Sequence, residues 1–190
     1  MKKKILSISA LLAFSSLLHA DATAPTSLAE VPFYAGIGMG VIQANNDFTS
    51  EKIDTTTIAL HAGIKVNQYL ALEGRYAFGV STDYESGSTN GVYNGNLSSW
   101  GVYAKPMYPI SNFDIYALLG FGGVTMSDVA GGNEYQGSFQ WGLGGSYSIT
   151  KEIAVSLDYL SLYNGTGFGN RAQNHTIKVD SIALALSYKF

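Results

Sequence analysis

Asn67-Gln68-Tyr69-Leu70-Ala71-Leu72-Glu73-Gly74-Arg75-Tyr76-Ala77-Phe78 changes character at every second residue. Leu70, Leu72, Tyr76 and Phe78 form one file. Ala71, Glu73, Arg75 and Ala77 form the other, with both charges in it. Side chains alternate between the two faces of an extended strand, so this segment is a ribbon with one apolar face and one face that carries charge. Asn67-Gln68 before it reads as a tight turn.

The same alternation recurs along the chain, in apolar files over residues 33–41, 58–66, 70–78, 100–108, 115–121, 139–147, 153–159 and 182–190. No segment sustains a 3.6-residue period. No apolar file contains a charge, and Ser161 is its main polar intrusion. A Lys or Arg facing lipid at the bilayer midplane costs about 2–4 kcal/mol, which accounts for charge-free files better than a half-buried soluble sheet does. Connections alternate in length. Asn67-Gln68, residues 109–112 and Thr150-Lys151 are short, whereas residues 45–54, 81–96, 127–134 and 165–175 read as long polar loops. Short turns on one side and long loops on the other are the plan of an outer-membrane barrel. Aromatic residues add to this: Phe33, Tyr108, Tyr147, Tyr188 and Phe190 fall at the short-turn ends. Tyr76, Phe78, Trp100, Phe121, Phe139 and Trp141 fall toward the loop ends, and mid-file positions are aliphatic. Two aromatic girdles around an aliphatic band suit the two interfaces of a bilayer.

Composition bounds the rest. Of 190 residues, 46% are hydrophobic and only 13% charged, against about 25% in ordinary soluble domains. The absence of Cys excludes a disulfide framework and a thiolate zinc site, and a net charge of -3 argues against nucleic acid as a partner. Lys2-Lys3-Lys4 followed by an apolar stretch and Leu18-His19-Ala20 reads as a secretory signal over residues 1–20. Its removal takes away three lysines and no acid. Residues 21–32 then form a short periplasmic lead, and residues 33–190 form one domain. The expected fold is all-β: an eight-stranded antiparallel up-and-down transmembrane β-barrel in the bacterial outer membrane, with strands of about ten residues crossing the hydrocarbon core.

Several segments resemble the OmpA-type family of small outer-membrane barrels, which includes OmpX-like proteins. Phe33-Tyr34-Ala35-Gly36 resembles the family's opening strand, and Tyr69 through Tyr76 its third. Ala104-Lys105-Pro106-Met107-Tyr108-Pro109-Ile110 resembles the fourth strand and its turn, and Tyr147 through Ala154 the turn between the sixth and seventh. The resemblance implies that the terminal Phe190, with Tyr188 two before it, is read by the outer-membrane insertion machinery. It also implies a charged interior gate, to which Glu73 and Lys105 correspond, although Leu118, Ser146 and Ser156 stand where that pattern has charges. The family's periplasmic domain is not expected in this chain.

Lys65, Glu73, Arg75, Lys105 and Asp158 fall on the inward face at membrane depth and are expected to form an ion-pair network filling a narrow lumen. The alternative is a selectivity filter. Gly36, Gly38 and Gly40 lack the following helix that a phosphate loop needs, and relieve crowding inside the barrel instead. His61 and His175 are the only histidines after the first twenty residues. They supply neither a metal-ligand set nor a nucleophile–base–orienter set, so no catalytic residue, metal or cofactor is expected. The first reading is therefore a structural or surface-interaction (adhesin-like) protein that presents four loops to host or cell-surface ligands and to lipopolysaccharide. Tyr84, Tyr93 and Asn94 of the longest loop are its candidate contacts. A narrow porin-like pore is the second reading, and a rim enzyme acting on lipid A the third.

Overall fold

The computed structural model describes residues 32–46, 52–85, 95–129, 132–168 and 171–190. Eight strands follow one another: β1 (Phe33–Asn46), β2 (Lys52–Asn67), β3 (Leu70–Glu85), β4 (Leu97–Ile110), β5 (Phe113–Val129), β6 (Gly132–Ser148), β7 (Ile153–Phe168) and β8 (Arg171–Lys189). Each pairs antiparallel with the next, and β8 returns to β1 from Tyr34↔Lys189 to Asn46↔Ile177, closing the barrel. Closure gives every strand a paired neighbour on both sides, the condition for a sheet in hydrocarbon. The expected barrel is the observed one.

The alternating files face outward. Leu119 is 38% exposed and Leu143 is 58% exposed, and neither packs in a protein interior. Both aromatic girdles are on the outer surface, with Tyr188 against Phe190 at one end and Phe121 edge-on to Phe139 at the other. At the short-turn end the connections are two residues after β2, two after β4 and four after β6. Ser111, in the middle one, adopts the left-handed conformation with φ 57.

Two expectations need correction. Strands run to between 14 and 19 residues, not about ten. Of the stretches read as long loops, residues 127–134 and 165–175 are largely strand and residues 45–54 and 81–96 are strand in part, since β1 continues to Asn46, β3 to Glu85, β5 to Val129 and β7 to Phe168. Hydrophobic alternation stops where the lipid stops, but backbone pairing does not, and polar side chains continue the ladder in water. Thr55 Oγ1 lies 3.0 Å from Thr82 Oγ1, and Thr82 donates to Asn96 Oδ1 at 2.8 Å.

Register also shifts where one residue is left without an opposite number. Val80 is such a residue between Gly79↔Thr57 and Ser81↔Thr56, and Leu162 is another between Ser161↔Asp180 and Tyr163↔Val179. A bulge exchanges the two faces beyond it. Thr82 is thereby turned to the interior, and so is Tyr163, which packs on Phe168 at 5.6 Å and donates to the Gly167 carbonyl at 2.6 Å. Ser161, paired with the outward Trp141 before the bulge, keeps its place in the outward file. It lies beside this bulge and is buried.

Candidate functional site

The interior is layered along the barrel axis. Midway, Glu73 and Arg75 of β3, Lys105 of β4, Asp158 of β7, Tyr34 of β1 and Tyr116 of β5 converge. Glu73 Oε2 accepts from Lys105 Nζ at 2.8 Å and from the Tyr34 hydroxyl at 2.6 Å, and its Oε1 accepts from Arg75 Nε at 2.5 Å. Arg75 Nη1 reaches Asp158 Oδ2 at 3.1 Å, and the Tyr116 hydroxyl donates to Asp158 Oδ1 at 2.5 Å. Lys105 Nζ also sits 4.0 Å above the Tyr116 ring. Two cations therefore face two anions, with tyrosine hydroxyls completing the carboxylate shells. Glu73 is only 1% exposed. A charge buried this deeply is tolerated only when paired and hydrogen-bonded, so the layer binds five strands into one unit.

Small inward residues make room for it. A Cβ on Gly36 would run into the His61 ring, and one on Gly144 into Tyr116 and Asp158. His61 Nε2 shares a hydrogen bond of 2.8 Å with Ser187 Oγ, linking β2 to β8. Tyr103 donates to Gln140 across the barrel.

Toward the long-hairpin end the character changes. Ile42, Leu97, Val124, Leu162, Phe168 and Val179 point inward, are buried, and belong to one apolar cluster. Toward the short turns lies a polar vestibule with Lys65, Asp114, Lys189 and several serines.

Of the residues expected to form the interior network, Glu73, Arg75, Lys105 and Asp158 are brought together. Lys65 is not among them. It stands in the vestibule with Nζ 3.9 Å from Asp114 Oδ2. Tyr84 is on β3 opposite Ile53, whereas Tyr93 and Asn94 lie outside the described residues. The alternation also places Tyr34, Tyr103 and Gln140 on the inner face, without a role, and it passes over Tyr116 and Asp114. Tyr116 was accessible to it, being flanked by the outward Ile115 and Ala117. The apolar plug was missed because an inward Leu or Val looks like one more member of the lipid-facing file. Among the described residues no three His, Asp or Glu side chains group to hold a metal ion.

A family model described as the outer membrane protein beta-barrel domain matches residues 9–190. The chain belongs to that family. The family and the closed barrel together place it in the bacterial outer membrane. No curated protein matches the chain. Among solved structures, Neisserial surface protein A is similar at TM-score 0.62 and 17% identity, covering 83% of this chain and 97% of that one. Ail, the attachment invasion locus protein of Yersinia pestis, is similar at TM-score 0.55 and 20% identity, in a complex with the heparin analogue sucrose octasulfate; 85% of this chain and 99% of that chain are covered. OprG of Pseudomonas aeruginosa is similar at TM-score 0.57 and 12% identity over 84% of this chain and 96% of that one. At such identities the likeness is one of fold.

Proposed function

We propose that this chain is a passive surface-interaction protein, non-catalytic, whose barrel anchors four hairpins at the cell exterior. One observation carries the reading: the lumen is blocked by a neutralised charge layer at mid-depth and by an apolar plug on its long-hairpin side. A barrel filled by its own side chains leaves the exterior hairpins as the surface available for selection to act on. The complex of Ail with a heparin analogue illustrates a barrel of this fold meeting a polyanion. Here the hairpins carry Asp47, Asp54, Asp83, Glu85, Asp128 and Glu134, so the charge favours a neutral or basic ligand over a sulfated one. The contact surface centres on Tyr84, Tyr93 and Asn94, where aromatic and amide groups suit adaptable recognition.

A narrow pore is the second reading, favoured by two cavities of about 30 Å³ that flank the charge layer. Its opening requires the Glu73 pairs to part. The lead reading is tested by displaying the protein on cells and measuring attachment to host-cell and matrix surfaces. The comparison is a variant whose residues 86–94 are replaced by a two-residue turn. Attachment lost while the barrel keeps its heat-modifiable gel mobility supports the reading. Attachment unchanged after shortening all four hairpins contradicts it.

A further inference from the structure

The charge layer is balanced, but the vestibule below it is not. Arg75 and Lys105 are offset by Glu73 and Asp158. Nearer the short-turn end, Lys65 and Lys189 face Asp114. The Lys65–Asp114 separation of 3.9 Å is too long for a hydrogen bond, and Lys189 Nζ donates at 3.1 Å to the neutral Ser148 hydroxyl. Between them is a cavity of about 30 Å³, walled by both lysines, Asp114, Met107 and the hydroxyl-bearing Ser146 and Ser187. A water needs at least about 10–15 Å³, so the space admits two oxygens side by side.

Two ammonium groups set among Met107, Ala154 and tyrosine rings, with one loosely held carboxylate beside them, are short of counter-charge in a partly screened vestibule. Each ammonium has three donors and no acceptor, and the serines add hydroxyl donors. Charge-assisted hydrogen bonds from such a set suit a planar group with two acceptor oxygens. We propose that the vestibule is a binding site for a small carboxylate arriving from the periplasmic side. Lys65 and Lys189 hold it, Ser146 and Ser187 complete its shell, and Asp114 sets the affinity by competing for Lys65. The carboxylate is that of a free small acid or of a peptide C-terminus, which share this chemistry.

The test is lysine side-chain NMR of the folded full chain in zwitterionic detergent, titrated at constant ionic strength with acetate, with glycylglycine and, separately, with chloride. Saturable shifts of Lys65 and Lys189 with acetate are expected. The affinity should fall about tenfold in Lys65→Met and in Lys189→Met, rise about threefold in Asp114→Asn, and stay unchanged in Lys151→Met on an exposed turn. Response to acetate alone assigns a free acid, and response to both acids assigns a carboxylate terminus. Heat-modifiable mobility shows which variants are folded, and Asp114→Asn keeps both lysines if either methionine variant fails to fold. Shifts that never saturate, that chloride reproduces, or that Asp114→Asn leaves unaltered overturn the proposal.

Discussion

The two halves of the lumen are closed by different physics. Around Glu73 the filling is ionic and directional, and each group is held by named partners at 2.5–3.1 Å. Around Leu97 and Val124 the filling is hydrocarbon, held by volume and contact. An ionic filling fails when one member is removed, because the others are stranded in low dielectric. A hydrocarbon filling fails in proportion to the space opened. The outer surface adds a third regime, in which the solvent is lipid and the penalty falls on charge.

Glu73→Ala is the sharpest way to break the ionic half. It strands Lys105 and leaves Arg75 with Asp158 alone, and a loss of about 3–5 kcal/mol is expected in denaturant unfolding of the detergent-folded barrel. The paired replacement Glu73→Gln with Lys105→Met should cost less than the two single changes summed, which a double-mutant cycle reads directly. In the apolar half, Leu97→Ala should cost about 2–5 kcal/mol, and Leu97→Met, which conserves volume, below about 1.5 kcal/mol. Equal losses from Leu97→Ala and Leu97→Met would mean that the plug is not tightly packed. On the lipid face, Leu143→Lys is expected to cost about 2–4 kcal/mol in a bilayer-folding titration, although Lys105 at similar depth is accommodated inside. The smallest effect belongs to Tyr159→Phe. It removes a 3.0 Å hydrogen bond to Asp180 on the exposed surface and should change stability by about 0.5–1.5 kcal/mol at most.

The same division explains what could be read from the chain. Lipid leaves a strong mark on sequence, because every outward residue within the bilayer must be apolar. Alternation around Leu72 and Leu184 therefore gave strand number, facing and the inward placement of Glu73, Arg75, Lys105 and Asp158. Beyond the bilayer water accepts any side chain, so the continuation of β3 to Glu85 or β7 to Phe168 carries no hydrophobic signature. Bulges at Val80 and Leu162 hide the facing of the residues beyond them, because an extra residue reverses it without altering composition. The apolar plug was illegible for a related reason: Leu97 and Val124 obey the inward period, yet their chemistry belongs to the outward file. Pairing across the barrel was beyond sequence altogether. Asp114 meets Lys65 across the lumen, from strands three places apart in the barrel order.

Single-channel recording on the purified full chain in planar bilayers tests most directly whether both halves of the lumen are shut. The expected trace is flat at moderate voltage, with current events arising only in Glu73→Ala, where the ionic layer is broken. A steady, size-selective conductance from the unaltered protein, changed by substitution of Lys105, would contradict a closed barrel and move its function from the hairpins to the pore.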